Sequence, residues 1–351
     1  MNSPSLLSRR RAGSLLIGAM LSPAAACGQV QAPGAPAPAA KPLDAAALAP
    51  AIAQAGALPQ LRSMIVAQNG VVLTERVFRG PSLSTPVNIK SAAKTVVATL
   101  AGVALDRGVL TGLDQKIAPI LGRRVPAAAD PRVRDITLEH LLSMAAGLES
   151  TSGRNYGTWV SSRDWLAYAL NRPFVAEPGT QMVYSTGTSH ILSAVLTAAS
   201  GKSTLQLARE WLGAPLGFEV PPWTRDPQGV YFGGNEMALS PRALFALGEL
   251  YRNGGVHGGR QVLSSAYAAD SWTSRGGRSP YNGYTYGLGW WLRDAGEHPV
   301  KFAWGYGGQM IYVVPSLGIT AVFTSDPNAR GVDGHVQALH GLFDAEIVAA
   351  A

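Results

Sequence analysis

Short β-rich runs occur at both ends of this chain, and the segment between them has helical spacing. Near the N-terminus, residues 63–68 and 71–78 are two such runs. The pair Asn69 and Gly70 between them is the strongest short signal for a β-hairpin. Four further runs and a final helix are predicted near the C-terminus, at 287–293, 300–304, 309–314, 319–324 and 333–348. This pattern predicts a mixed α/β (α+β) fold, in which one antiparallel sheet is built from both chain ends and a mostly helical region at about 110–255 is inserted.

Capping signals mark the predicted helices. Thr137 is typical of a helix N-cap, and Gly147 is typical of the stop that follows. Ser240 followed by Pro241 is a favoured helix start. The helices are predicted at 43–57, 137–144, 159–170, 189–199, 204–212 and 241–252. The folded domain is expected over 43–350.

Residues 1–27 have the features of a bacterial export signal. Arg9–Arg11 precede an apolar stretch at 12–21, which is too short to cross a membrane as a helix. We expect a periplasmic or secreted protein, exported by the general secretory or the twin-arginine route. Cys27 follows three alanines and is a candidate site for a lipid anchor. Apart from the signal itself, this anchor is the one attachment to a membrane that the sequence suggests. The Ala- and Pro-rich segment 28–42 is predicted to be a linker.

Composition excludes several classes of function. With 47% hydrophobic and 15% charged residues, the chain can bury a large core. The formal charge of +7 falls to +4 without Arg9–Arg11, and the remaining basic residues form no stripe, so no nucleic-acid partner is expected. A single cysteine excludes an intramolecular disulfide. No cofactor is expected, because the Gly-rich segments do not fit the spacing of a dinucleotide or phosphate loop. No metal is expected either, because the histidines lack ligand spacing: His140, His190, His257, His298, His335 and His340.

Ser91 and Lys94 stand at the start of an apolar run that predicts a helix ending before Gly108. Their spacing places both side chains on one helix face. A serine hydroxyl is a weak nucleophile, and a neutral amine within hydrogen-bond reach can take its proton. Burial favours the neutral amine. Such pairs also arise by chance, but an unpaired ammonium in an apolar segment is costly unless it has a partner or a function.

Two later stretches supply further candidates. The segment 177–180 leads through Tyr184 and Thr186 into a predicted helix; a loop tyrosine in this position is more often a packing residue than a catalytic one. The segment 303–309 is rich in glycine and lies between two predicted strands. Glycines there are typical of a tight turn, and they also allow a backbone N–H to approach a substrate oxygen.

Taken together, these motifs resemble the serine hydrolases of the class C β-lactamase superfamily. That group includes penicillin-binding DD-peptidases, family VIII esterases and 6-aminohexanoate-dimer hydrolases. The resemblance extends over about 60–345 and includes the segment 136–148. The glycine-rich passage is most similar to the 6-aminohexanoate-dimer hydrolase branch. The resemblance implies a β-lactamase/transpeptidase-like fold.

The same resemblance implies roles for individual residues. Ser91 would be acylated, Lys94 would hold the proton network, and Tyr184 would act as general base, with a phenolate stabilised by the charge of Lys94. The backbone N–H of Ser91 and one from the segment 303–309 would form the oxyanion hole. In the 6-aminohexanoate-dimer hydrolase register the second donor is Tyr306, and a donor up to three residues away is the alternative.

The sequence departs from the family pattern at two motifs. Thr186 stands where the family has Asn, and neither Lys-Thr-Gly nor His-x-Gly occurs at 303–309. His257 begins a His-x-Gly sequence, but we interpret it as part of a loop. Substrates of β-lactamases and DD-peptidases carry a carboxylate that the missing cation would bind. We therefore expect a carboxylesterase or amidase acting on small acyl substrates. Tyr156 is either a cover for the substrate or a surface aromatic. The remaining candidate substrate-binding residues are Thr186, Trp304, Gly307 and Gly308.

Two other functions stay open at this point. One is a DD-carboxypeptidase or weak β-lactamase that acts on cell-wall peptides or β-lactams. The other is a non-catalytic descendant that binds peptidoglycan. The presence of Ser91, Lys94 and Tyr184 favours an enzyme over the second alternative.

Overall fold

The computed structural model describes residues 41–329 and 332–351. The predicted export signal, Cys27 and residues 28–40 of the predicted linker lie outside the described residues. Among the described residues, no helix combines the length and the apolar character needed to span a bilayer.

The strands, numbered in chain order, are β1 Leu61–Gln68, β2 Val71–Val77, β3 Val87–Asn88, β4 Ala238–Leu239, β5 Val256–His257, β6 Arg260–Gln261, β7 Thr285–Tyr286, β8 Trp291–Ala295, β9 His298–Gly305, β10 Gln309–Val314 and β11 Ile319–Ser325. The α-helices are α1 Ala49–Ala57, α2 Ala93–Asp106, α3 Ile117–Leu121, α4 Leu138–Leu142, α5 Tyr156–Val160, α6 Trp165–Leu170, α7 Thr186–Ser200, α8 Thr204–Ala208, α9 Ala214–Leu216, α10 Pro241–Arg252, α11 Ser265–Asp270 and α12 Val332–Leu342.

A seven-stranded sheet joins the two ends of the chain, in the order β2-β1-β11-β10-β9-β8-β7. Every neighbouring pair is antiparallel. The N-terminal hairpin turns at Asn69 and Gly70, whose φ angles of 51° and 81° suit a type I′ turn. β1 then pairs with β11, which confirms the predicted sheet built from both ends.

The sheet separates two hydrophobic cores because successive strand residues point to opposite faces. Ile65, Ile311 and Val322 pack with the helical region, which includes α2, α7 and α10. Their neighbours Met64 and Phe323 pack on the other face with the N- and C-terminal helices. The mixed α/β architecture expected from the sequence, an antiparallel sheet with flanking helices, is therefore present.

The predicted helix over 159–170 is wrong as a single element, because the structure has two short helices there, α5 and α6. The side chain of Asp164 accepts a hydrogen bond from the Ala167 N–H at 2.8 Å and starts α6 anew. The indole N–H groups of Trp159 and Trp165 donate to backbone carbonyls across the break. A local cap thus overrides the helical spacing.

Other boundaries differ by smaller amounts. α7 begins at Thr186 rather than 189, and the predicted helix over 204–212 becomes the π-helix 209–213 after α8. His257, interpreted from the sequence as part of a loop, lies in the short ladder of β5 and β6. The predicted strand 287–293 begins only at Trp291, because Gly289 in the preceding turn has a φ of 79°.

Candidate active site

Ser91 lies in a 3-10 turn, Lys90–Ala92, that leads into α2. The preceding residue, Lys90, has a φ of 49°, a conformation that non-glycine residues rarely adopt. Its N–H donates to Asn88 Oδ1 at 2.9 Å, and its ammonium pairs with Glu236 at 3.2 Å. Asn88 Nδ2 donates to the same glutamate at 2.7 Å. This polar cluster holds the strained backbone that presents Ser91.

Lys94 follows one helical turn later, and only 3% of its surface is exposed. Its Nζ donates to Ser91 Oγ at 2.9 Å, to the Gly234 carbonyl at 2.8 Å and to Thr186 Oγ1 at 3.3 Å. Desolvation lowers the pKa of Lys94 to about 7. Near neutral pH, a large share of the amine is therefore unprotonated and able to accept a proton from Ser91.

Tyr184 completes the group of polar side chains around Ser91. Its half-buried ring stacks on Trp291, with a centroid separation of 5.3 Å. Lys94 Nζ lies 5.0 Å from the centroid of the same ring. Burial raises the pKa of Tyr184 to about 12, although its hydrogen bond with Ser91 opposes the shift. The phenolate expected from the sequence is therefore not the favoured form at neutral pH, and the hydroxyl can donate a proton.

The end of β9 packs directly against the segment that carries Ser91. A Cβ atom at Gly305 would lie 2.1 Å from the Ile89 carbonyl oxygen, so only glycine permits this approach. As a result, Trp304 and Tyr306 reach the same cavity as Ser91.

A cavity of about 780 Å³ opens over Ser91. Its walls combine aromatic residues with a polar loop. The lining residues are Ser91, Glu149, Ser150, Ser152, Gly153, Arg154, Asn155, Val175, Val183, Tyr184, Tyr281, Asn282, Trp291, Trp304 and Tyr306. Among the described residues, no group of three or more His, Cys, Asp or Glu side chains is placed to hold a metal ion.

A sequence model of the beta-lactamase family matches residues 51–342 of this chain. The chain belongs to the beta-lactamase family. Members of this family are serine hydrolases. The superfamily expected from the motifs is thereby confirmed.

Solved structures show the same fold at low sequence identity. EstCE1, a hydrolase with promiscuous acyltransferase activity, is 20% identical, with a TM-score of 0.71 over 86% of this chain and 99% of its own. A penicillin-binding protein homologue from Caulobacter crescentus is 18% identical, with a TM-score of 0.69 over 88% of this chain and 99% of its own. A protein from Bacillus anthracis assigned as a 6-aminohexanoate-dimer hydrolase is 19% identical, with a TM-score of 0.67 over 83% of this chain and 78% of its own.

Thr186, Gly307 and Gly308 are the other candidate substrate-binding residues of this beta-lactamase-family chain, and the structure places them in separate environments. Thr186 is buried beside Lys94 and shares a 2.9 Å hydrogen bond with Ser152. Gly307 and Gly308, with φ angles of 81° and 95°, form the turn after β9 and pack against the segment 325–326. Neither glycine is among the cavity-lining residues. The positive φ angles and this packing indicate that both glycines form the turn rather than line the cavity.

Tyr156 is also not among the cavity-lining residues. Its ring stacks on Phe232 at a centroid separation of 6.4 Å, and its hydroxyl accepts a hydrogen bond from Asn235 at 2.8 Å. Tyr156, the first residue of α5, thus packs against the loop that carries Gly234. Packing, rather than a cover over Ser91, is what the structure shows for this side chain.

Sequence reasoning missed the loop 225–235, which supplies the Gly234 carbonyl to Lys94. This loop is anchored by Asp226, which lies 3.0 Å from His190 Nε2 in a fully buried pair. A Cβ atom at Gly233 would lie 2.1 Å from the Ser189 carbonyl oxygen, which fixes the loop against α7. The consecutive Gly233 and Gly234 are the only local sign of this close approach.

Proposed function

We propose that this chain cleaves ester or amide bonds of small acyl substrates through an acyl-enzyme on Ser91. The observation that carries the proposal is the buried amine of Lys94, 2.9 Å from Ser91 Oγ. A base in that position can activate the hydroxyl without a histidine. The family membership and the hydrolase among the similar structures support the same reaction class.

In the proposed acylation step, the neutral amine of Lys94 accepts the Ser91 proton while Oγ attacks the acyl carbon. The developing oxyanion accepts hydrogen bonds from the N–H groups of Ser91 and Tyr306. Tyr184 donates its hydroxyl proton to the leaving alcohol or amine and regains a proton from the Lys94 ammonium. Loss of one oxyanion donor typically costs about 3 to 4 kcal/mol of transition-state stabilisation.

In deacylation, water replaces the departed alcohol or amine. The water attacks the ester carbon of the acyl-enzyme and gives a proton to the Tyr184 and Lys94 pair, and Ser91 Oγ leaves with a proton returned by the same pair. The products are a carboxylic acid and the regenerated enzyme, so protons balance over the cycle. This order of events uses Lys94 as the first proton acceptor because its pKa, and not that of Tyr184, lies near neutrality.

The test is hydrolysis of short-chain p-nitrophenyl esters by the purified protein, with Ser91→Ala beside the exposed control Ser161→Ala. We expect turnover by the wild type and the control and none by Ser91→Ala. A fluorophosphonate should add covalently to the Ser91 peptide in a mass spectrum. Equal activity of Ser91→Ala and the wild type would refute the assignment of the nucleophile.

A cell-wall activity is the second candidate, favoured by the structural likeness to a penicillin-binding protein homologue. A slowly released penicillin adduct on Ser91, with ester turnover near zero, would select this DD-carboxypeptidase or β-lactamase function. Absence of both ester turnover and adducts would favour a binding protein.

A further inference from the structure

A cluster of charged side chains with a net positive charge lies at the cavity over Ser91. Of the cavity-lining residues in the described chain, only Glu149 and Arg154 are charged. Glu149 is shared, since its Oε2 pairs with Arg172 and its Oε1 lies 3.4 Å from Arg154 Nη2. One carboxylate thus faces two guanidinium groups, which leaves one positive charge unbalanced within this triad.

Arg154 is the more exposed of the two arginines. Its side chain is 87% exposed, whereas that of Arg172 is 20% exposed. Arg172 also packs over the Tyr168 ring, with its guanidinium carbon 5.5 Å from the ring centroid. Arg154 follows Gly153, which has a φ of 58° at the start of a 3-10 turn. Arg172 can therefore keep Glu149 neutralised while Arg154 turns toward a ligand.

Besides the polar loop, the cavity lining contains a group of apolar side chains. Three of the six large hydrophobic residues that are exposed on the described surface line this cavity: Val175, Tyr281 and Tyr306. Tyr184, Trp291 and Trp304 line the same cavity. Exposed apolar groups that cluster at one cavity are typical of a ligand-binding surface.

We propose that Arg154 is a specificity residue that binds a carboxylate carried by an apolar ester or amide substrate. The inference rests on the proposed function, because it names the substrate class of the Ser91 site. The segment 303–309 contains no cation, so Arg154 supplies the positive charge from the loop after α4 instead. A guanidinium group suits this task because it forms paired hydrogen bonds with a carboxylate.

The experiment compares two matched pairs of substrates. In the first pair, p-nitrophenyl valerate and mono-p-nitrophenyl glutarate differ by a carboxylate on the acyl chain. In the second pair, p-nitrophenyl acetate and 3-carboxy-4-nitrophenyl acetate differ by a carboxylate on the leaving group. The measured quantity is the ratio of kcat/KM for the charged ester to that for the neutral ester. The proteins are the wild type, Arg154→Gln, Arg154→Lys and the exposed control Arg163→Gln.

We expect Arg154→Gln to lower this ratio about tenfold in one of the two pairs, which also identifies the side that carries the carboxylate. Arg154→Lys should restore part of the ratio, and Arg163→Gln should leave it at the wild-type value. A ratio that is the same in the wild type and Arg154→Gln for both pairs would overturn the inference while leaving the proposed function intact. Absence of ester turnover by the wild type would refute the proposed function, and this inference with it.

Discussion

Two buried ionisable side chains, Lys94 and His190, are held at positions one helical turn apart on α7. They differ in whether a group of opposite charge accompanies them in the protein interior. Lys94 contacts Thr186 at the start of the helix and has only neutral acceptors, namely two hydroxyl groups and a carbonyl. His190 pairs with Asp226 and is enclosed by the rings of Trp159, Trp165 and Phe232.

The difference shows how one fold separates reactivity from stability. Burial alone lowers the pKa of Lys94, and among its described contacts no carboxylate opposes the shift. For Asp226, burial raises the pKa, but the hydrogen bonds from His190 and from two backbone N–H groups outweigh this effect and lower it. An unpaired buried amine destabilises the fold and gains reactivity, whereas a paired buried carboxylate stabilises the loop that it anchors.

Replacement of the unpaired amine should have the largest effect. We expect Lys94→Met to lower kcat/KM for p-nitrophenyl esters about 10³-fold, because the proton acceptor is lost. The same change should raise the melting temperature at pH 6, since a buried group that is costly to charge is removed. Ester assays and thermal melts check both parts, with the exposed Lys116→Met as control. A lower melting temperature with activity retained would contradict the comparison.

Disruption of the paired site should instead reduce stability. Asp226→Ala leaves His190 and the N–H groups of Gln228 and Val230 without their partner. We expect the free energy of unfolding to fall by about 3 to 5 kcal/mol. Urea denaturation measures the change, and the exposed Asp114→Ala is the control. Equal stability of the two variants would show that the buried pair contributes nothing.

The pH dependence of activity and of stability should further distinguish the unpaired Lys94 from the paired Asp226. Below the Lys94 pKa of about 7, kcat/KM should fall about tenfold per pH unit as the amine becomes protonated. The folded-state pKa lies below the unfolded value, so the unfolded state binds more protons between about pH 7 and 10.5. The contribution of Lys94 to stability should therefore rise with pH in that window.

Rate profiles from pH 5 to 9 and melts of the wild type against Lys94→Met measure these two effects. A rate that stays constant across this range would refute Lys94 as the acceptor.

The smallest effect is expected at Thr186, one of the acceptors of the amine. Thr186→Val removes a hydrogen bond that stabilises the ammonium form, at a cost of about 1 kcal/mol. The acid limb of the rate profile should therefore move to lower pH by less than about one unit. Thr197→Val, on the same helix but away from Lys94, provides the matched control. A shift to higher pH would contradict the assigned contact.

Much of this architecture could be predicted locally. The turn at Asn69 and Gly70 and the start of α10 at Ser240 and Pro241 depend on backbone preferences that short segments contain. The break between α5 and α6 was missed, because the cap formed by Asp164 competes with a helical spacing that continues through it. Export through residues 1–27 stays a prediction.

The sequence by itself determined that both chain ends supply strands to one antiparallel sheet and that Ser91 and Lys94 lie close together, since strand periodicity and helical spacing are local properties. Only the tertiary structure decided the protonation of the site. The pKa values of Lys94 and Tyr184 depend on desolvation by segments far along the chain, and the Gly234 carbonyl comes from a residue 140 positions after Lys94. No local pattern encodes these contacts, because they exist only once the loop 225–235 and strand β9 have packed around α2.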